Sequence, residues 1–189
     1  MYIEAELIRE LKKGSELAVA VLVERYSDQL LYVALGICGD MQKAEEVVQD
    51  TMLQACRKID SFGQQAALSS WLYRITVNLA KNSLRKRWIR RLTPWEEQRL
   101  QLLAAPAADQ PELMALRQET RLEVVELLQR LPVKYREVLA LYYLQEFAVS
   151  EISAILGQPE GTVKSKLSRG RTKFKQLWAA REGEKNGCV

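Results

Sequence analysis

All five prolines of this chain fall from residue 94 onward, at Pro94, Pro106, Pro111, Pro132 and Pro159. Proline lacks a backbone N–H and clashes with the preceding turn, so it breaks a helix interior at a cost of about 3 kcal/mol. Residues 1–93 are therefore free to form long helices. No stretch alternates apolar and polar residues in the manner of a half-buried strand. Apolar side chains recur instead at three- and four-residue spacing, which predicts an all-α fold.

Cap residues divide the first half. Residues 3–13 read as a short helix ending at Gly14. Ser15 is an N-cap for a second helix whose apolar face is Leu17, Val21, Tyr26, Leu30, Val33 and Ile37, and Gly39 ends it. Asp40 caps a third helix reaching about Lys58, with Ala44, Val48, Ala55 and Ile59 on one face. After a loop at 60–68, a fourth helix over about 69–90 has Trp71, Leu72, Ile75, Leu79 and Trp88 inward. Residues 92–111 hold three of the prolines around Ala-Ala-Pro-Ala-Ala and read as a linker, with a single helical turn near 95–103. A helical block follows from Pro111 to about Arg130, then a helix over 134–145, a short helix capped by Ser150, and a last helix from Pro159 to about Ala180. The expected architecture is two small helical domains, 1–91 and 112–189, joined by the linker 92–111.

Charge is distributed unevenly. The formal net charge is +4. Residues 61–92 carry 7 basic and no acidic side chains, and residues 158–181 carry 7 basic and 1 acidic. Residues 1–60 carry 7 basic against 11 acidic. Two basic blocks in an otherwise acidic chain point to two separate contacts with a polyanion. The chain has no histidine, which excludes Ser-His-Asp and Cys-His catalysis and any histidine-bearing zinc site. Cys38, Cys56 and Cys188 are scattered, with no CxxC pair, so neither a metal site nor a disulfide framework is indicated. Cys38 and Cys56 lie in apolar helical patterns and read as core or groove residues in a reducing cytosol. The longest apolar run, residues 30–38, falls far short of the about 20 residues needed to cross a bilayer. The amphipathic start has no signal-peptide core.

The second basic block carries the strongest motif. Residues 150–171 place two helices around a Gly-containing break, the arrangement of a helix-turn-helix. Ile152, Ile155, Leu156, Val163, Leu167 and Phe174 would pack the two helices together, with Leu177 and Trp178 extending the stripe. Lys164, Ser165, Ser168 and Arg169 are then left on one outward face. Such a face suits the major groove, where Arg and Lys donate to guanine O6 and N7 and Ser reaches several bases. Lys166, Arg171, Lys173 and Lys175 flank it and suit phosphates.

On the fourth helix, Arg74, Asn78, Lys81, Asn82, Arg85 and Lys86 lie opposite the apolar stripe, and Arg87, Arg90 and Arg91 continue the charge. Asn is both donor and acceptor, and with Arg and Lys beside it this face can hold unstacked bases of a single strand. The third helix differs. Its Glu45, Glu46, Gln49, Asp50 and Gln54 accompany apolar Val47 and Leu53, a face that suits a protein partner and not DNA. A two-domain helix-turn-helix transcriptional regulator that binds an operator also explains the second basic block, but it leaves the third and fourth helices without a role. A nuclease lacks the necessary carboxylate cluster, and an RNA-binding module does not need the groove-reading helix.

These segments together resemble a family. Residues 22–27, the Gly39-Asp-x-x-x-Ala-Glu-Glu-Val-Val-Gln-Asp-Thr run, Ile59-Asp-Ser-Phe and the segment from Trp71 to Ala80 look like region 2 of the extracytoplasmic-function (ECF) group of bacterial sigma factors. Leu131-Pro-x-Lys-Tyr-Arg-Glu-Val, the segment 151–157 and the segment 160–171 look like region 4. The resemblance implies a subunit with no cofactor and no chemistry of its own that gives core RNA polymerase promoter specificity. By position, Glu46, Gln49, Asp50, Leu53 and Arg57 would meet the clamp helices of the polymerase's largest catalytic subunit. Arg74, Asn78, Lys81, Asn82 and Arg85 would serve the −10 element and its opened strand. Lys164, Ser165, Ser168 and Arg169, with Lys166, Arg171 and Lys173 beside them, would serve the −35 element. The resemblance further implies a cytoplasmic location without membrane insertion, and an anti-sigma factor, in this group often membrane-tethered. Two departures stand out. Asn82 occupies a position where many members carry Asp, and the loop at 62–68 lacks the Arg-Gly-Asp/Glu-Ser pattern common there.

Overall fold

The computed structural model describes residues 3–63, 67–92 and 124–186, and every regular element among them is helical. Helix α1 spans Glu4–Lys12 and buries Leu7, Ile8 and Leu11. Gly14, with φ of 76°, turns the chain into α2, Glu16–Cys38. The Ser15 hydroxyl accepts from the Ala18 N–H, and Gly39 closes the helix in the left-handed region at φ 71°. The Asp40 carboxylate accepts from the Lys43 N–H at 3.0 Å and starts α3, Met41–Lys58. A single 3-10 turn, Ile59–Ser61, follows, and α4 runs Leu68–Leu92. The α4 start is capped from a distance: the Leu68 N–H donates to the Glu4 carboxylate of α1 at 3.0 Å.

Helices α2, α3 and α4 pack against one another, and α1 lies on α2. Between α3 and α4 the buried hydroxyls of Thr51 and Thr76 meet at 3.2 Å. Each also donates to a carbonyl of its own helix, Val47 and Leu72, so this polar pair leaves no donor unmet.

The second unit comprises α5 (residues 124–129), α6 (Val133–Leu144), α7 (Val149–Leu156) and α8 (Glu160–Asn186). Pro132 sits at the α6 N-cap and Gly157, φ 63°, ends α7. Helix α8 crosses α6 closely at Gly170, where a Cβ would stand 3.2 Å from Leu139 Cδ1.

The two units share one hydrophobic core. Residues 33–38 of α2 are buried on every side, because α3 and α4 cover one flank and α6 covers the other. The crossing is close at Gly36, where an added Cβ would lie 3.3 Å from Ala140 Cβ. Each large aliphatic side chain fully buried in this way contributes about 1.5–3 kcal/mol.

Several local expectations are corrected. Leu17 is 65% exposed, and Ala18 and Leu22 face the core in its place and that of half-buried Val21. Val47 is buried, so it does not belong to the outer face of α3. Ser150 lies inside the first turn of α7, whose N-cap is Ala148; the Glu151 carboxylate reaches back to the Ala148 N–H at 2.8 Å and supplies the cap. The last helix extends past Ala180 to Asn186. The expectations for the linker, for the start of the helical block after Pro111, for residues 64–66 of the loop, for Cys188, and for the side chains of Lys86, Arg87, Trp88, Arg90 and Arg91 lie outside the described residues.

Candidate nucleic-acid and polymerase interfaces

The helix-turn-helix of α7 and α8 is held by both backbone and side chains. At its turn, the Gln158 N–H donates to the Ser153 carbonyl at 3.1 Å, and the Ser153 hydroxyl donates to the Gln158 carbonyl at 2.5 Å. The Thr162 and Val163 N–H groups donate to the Pro159 carbonyl and open α8. Ile152, Ile155, Val163 and Leu167 are buried between the helices. That packing fixes the opposite face: Lys164, Ser165, Ser168 and Arg169 are all exposed together on α8. Lys164 lies 3.3 Å from Glu160, one turn away and also exposed, a pair worth about 0.3–0.5 kcal/mol and easily exchanged for a phosphate. Arg171 and Lys173 are exposed, with the Arg171 guanidinium 5.4 Å over the Tyr142 ring.

On α4, Arg74, Asn78, Asn82 and Arg85 are exposed. Their spacing of four, four and three residues aligns them along one side of the helix. The Arg74 guanidinium donates to the Ala154 carbonyl of α7, so it is engaged by the second unit.

Two of the expected DNA contacts are placed differently from their neighbours. Glu137 of α6 is 2% exposed, and its carboxylate lies between two ammonium groups. Lys166 donates to its Oε1 at 2.8 Å. Lys81 of α4 stands 3.0 Å from Oε2, an ion-pair distance without hydrogen-bond geometry. Lys166 is turned inward toward α6 and is not on the flank of the outward face. Burying a lone carboxylate is costly, and two cations beside it offset that cost.

Along α3, Glu46, Gln49, Asp50, Leu53 and Arg57 are all exposed, and Leu53 is 56% exposed. They form a continuous stripe with an acidic centre and an apolar side chain within it.

Sequence reasoning missed the residues that join the two units. The Arg136 guanidinium donates to the Ile37 carbonyl at 3.0 Å, to the Leu131 carbonyl at 2.7 Å and to the Gln129 carbonyl at 2.7 Å. Gln129 donates to the Gly36 carbonyl at 2.9 Å. A Cβ at Gly39 would displace the Gln129 side chain, and the positive φ there separately favours glycine. Burial lowers Arg136 from its ordinary pKa. Tyr73 of α4 donates to the Gln145 side chain at 2.6 Å and packs edge-on against Phe147, with ring centroids 4.9 Å apart; burial raises its phenol pKa. The available signal was the run at 30–38, which has no polar face to give to solvent. Among the described residues, no group of three or more acidic or cysteine side chains is arranged to hold a metal ion, and no helix is long and apolar enough to cross a membrane.

A region 2 helical unit followed by a helix-turn-helix unit is what comparison with known families also finds. The model for sigma-70 region 2 matches residues 22–90, and that for sigma-70 region 4 matches residues 121–174. The chain belongs to the ECF group of RNA polymerase sigma factors, the subunits that bind core polymerase and direct it to specific promoters for transcription initiation. It is 33% identical over 169 residues to the ECF RNA polymerase sigma factor SigW of Bacillus subtilis, covering 87% of this chain and 90% of that one. It is 33% identical over 174 residues to SigM of Mycobacterium tuberculosis, covering 92% of this chain and 84% of that one. Among solved structures, the sigma factor RpoE of Bartonella quintana, in complex with the anti-sigma factor NepR, aligns with a TM-score of 0.63 at 25% identity, covering 85% of this chain and 96% of that one. CnrH, in complex with the cytosolic domain of CnrY, shares the fold with a TM-score of 0.69 at 24% identity, covering 94% of this chain and 97% of that one.

Proposed function

We propose that three separate faces divide the work of this sigma factor, within a region 2 domain at 1–91, a linker at 92–111 and a region 4 domain at 112–189. The exposed stripe Glu46, Gln49, Asp50, Leu53 and Arg57 on α3 docks on the clamp helices of the polymerase. The α4 face with Asn78 and Asn82, aided by Arg74, Lys81 and Arg85, reads the −10 element and holds its opened strand. The α8 face with Lys164, Ser165, Ser168 and Arg169 reads the −35 element in the major groove, and Arg171 and Lys173 serve the phosphates.

The observation that carries this reading is the separation of faces. The two faces rich in Arg, Lys, Asn and Ser are on α4 and α8, while the acidic stripe with Leu53 is on α3. Phosphate repels the third face and favours the first two.

The mechanism is differential binding and the protein performs no bond chemistry. Region 4 anchors duplex DNA by charge and a few base contacts. Region 2 binds unpaired bases better than paired ones and so shifts the duplex toward the open state. Unstacking costs a few kcal/mol per base, and each well-held base returns about 1–3 kcal/mol. The protein acts in the cytoplasm, and an anti-sigma factor is its regulatory partner. That reading is supported by its relative from Bartonella quintana, which is solved in such a complex.

Run-off transcription with core polymerase, followed by promoter mapping, tests the function. Defined transcripts dependent on this protein are expected. Tight and specific promoter binding by the protein without core polymerase would instead mark an operator-binding regulator.

A further inference from the structure

We infer that Thr51 and Thr76 are positioning residues. Their buried hydroxyl pair sets the register of the reading helix α4 on the docking helix α3, and so places the −10 face for strand opening. The inference rests on the proposed assignment of α3 to polymerase and α4 to the −10 element.

The two hydroxyls stand in an apolar seam. Both threonines are 0% exposed. One turn to either side of Thr51 on α3 are Val47 and Ala55, and one turn to either side of Thr76 on α4 are Leu72 and Ala80, all four buried. Among the described residues, the only other buried polar or charged side chain is Glu137 of α6. Each threonine also adjoins a proposed contact surface. Asp50 directly precedes Thr51, Arg74 and Asn78 lie two residues to either side of Thr76, and all three are exposed.

The hydroxyl geometry allows a bond between the helices at little expense to either. Three contacts meet at the pair. Thr51 Oγ1 lies 2.7 Å from the Val47 carbonyl, Thr76 Oγ1 lies 3.0 Å from the Leu72 carbonyl, and the two hydroxyl oxygens are 3.2 Å apart. Two hydroxyl protons cannot fill three contacts. With both protons turned to their own helices, two oxygens face each other with no proton between them. Turning one proton across makes the interhelical bond. The carbonyl it leaves keeps the helical N–H of the threonine itself.

Stability does not require these hydroxyls. Valine has nearly the shape of threonine, and replacing a buried hydrogen-bonded pair by apolar groups of the same shape is close to neutral. A directional bond adds what apolar packing lacks, which is a fixed register. Apolar side chains in the seam tolerate sliding of α4 along α3, whereas the bond holds only while the oxygens stay within reach and in line. With α3 held by polymerase, a slide of α4 moves Asn78 and Asn82 relative to the strand they hold.

Thr51→Val, Thr76→Val, the double variant and Thr51→Ser separate register from stability. Valine keeps the shape and removes the hydroxyl. Serine keeps the hydroxyl and deletes a buried methyl, so it should lower the urea midpoint of unfolding. Full-length protein is assayed with saturating core polymerase on a promoter that the wild type uses, and opening is read as permanganate reactivity of the −10 thymines. Each valine variant is expected to keep its urea midpoint and its capture of core polymerase, and to lose about fivefold in opening, the worth of one neutral hydrogen bond. The double variant should lose no more than either single variant, because both remove one shared bond. Thr51→Ser should open the promoter as the wild type does in spite of its lower stability. Wild-type opening in both valine variants would overturn the inference. Opening that follows the urea midpoint across the four variants would overturn it too, since the pair would then be an ordinary part of the core. No opening by the wild type with core polymerase on any template would instead defeat the proposed function itself.

Discussion

The Arg136 guanidinium donates to the carbonyl of Ile37, 3.0 Å away, so a side chain of the second helical unit closes the C-terminal end of a helix in the first. That end carries the negative pole of α2, and a cation there is favourable. Replacing Arg136 with Ala leaves the carbonyls of Ile37, Leu131 and Gln129 without this donor. Hydrogen bonds to a charged group are worth about 1.5–3 kcal/mol, so a loss of about 2–3 kcal/mol in urea-induced unfolding is expected. Lys at the same position should not restore it, because a single ammonium cannot reproduce the planar fork. Full rescue by Lys would contradict this account.

Cys38 should weaken the fold in alkali. It is 3% exposed, and burial, reinforced by the Asp40 carboxylate, pushes its thiol up to about 11. Above the ordinary thiol pKa the unfolded chain loses this proton while the folded chain keeps it. Stability therefore falls as pH rises from about 9 toward 11 and is unaffected below that window. The comparison is wild type against Cys38→Ala, since tyrosines titrate in the same range. The wild type should lose more stability than the variant between pH 8 and pH 10.5. At pH 8, Cys38 should also resist iodoacetamide longer than half-buried Cys56.

Lys164→Ala and Arg169→Ala should each reduce promoter-directed transcription by about 1–3 kcal/mol in apparent affinity, and only on templates with an intact −35 element. Equal losses on templates with a scrambled −35 element would reassign both residues to phosphate contacts. Both side chains are exposed, so thermal unfolding should be unchanged.

Asp50→Lys places a cation in the middle of the acidic α3 stripe. Binding to core polymerase in a pull-down should weaken about tenfold or more, as expected for a like-for-opposite charge change within an interface. Because Asp50 is exposed, folding should be unaffected. Undiminished capture by core polymerase would remove α3 from the docking surface.

Much of this organisation was legible in the residues. Gly39, Asp40, Pro132 and Gly157 mark helix ends by local chemistry, and local chemistry is what a sequence displays directly. The exposed groups on α3, α4 and α8 followed from helical spacing. The errors had different physical causes. Leu17 and Val47 were misplaced because several neighbouring apolar residues compete for one buried face, and only the packing of the bundle decides among them. The α7 cap was assigned to Ser150 because hydroxyls are the usual capping groups, whereas Glu151 reached back to Ala148. The joining of the units through Arg136, Gln129, Tyr73 and Glu137 was invisible because each contact spans a large separation in sequence, as from Ile37 to Arg136. Lys81 and Lys166 were read as surface cations for the same reason. Their charge was evident, and the carboxylate between them was not.

The bond from Leu68 to Glu4 has a practical bearing on how this protein is handled. The first helix looks dispensable: it is short and precedes the segment that the region 2 model matches. Yet Glu4 is not dispensable, since its carboxylate supplies the acceptor on which α4 begins. Trimming the chain to the matched segment would fray the opening turn of α4 beside the loop that precedes it. A shortened protein that binds polymerase but melts promoters poorly would then report a truncation artefact and not a property of the natural factor.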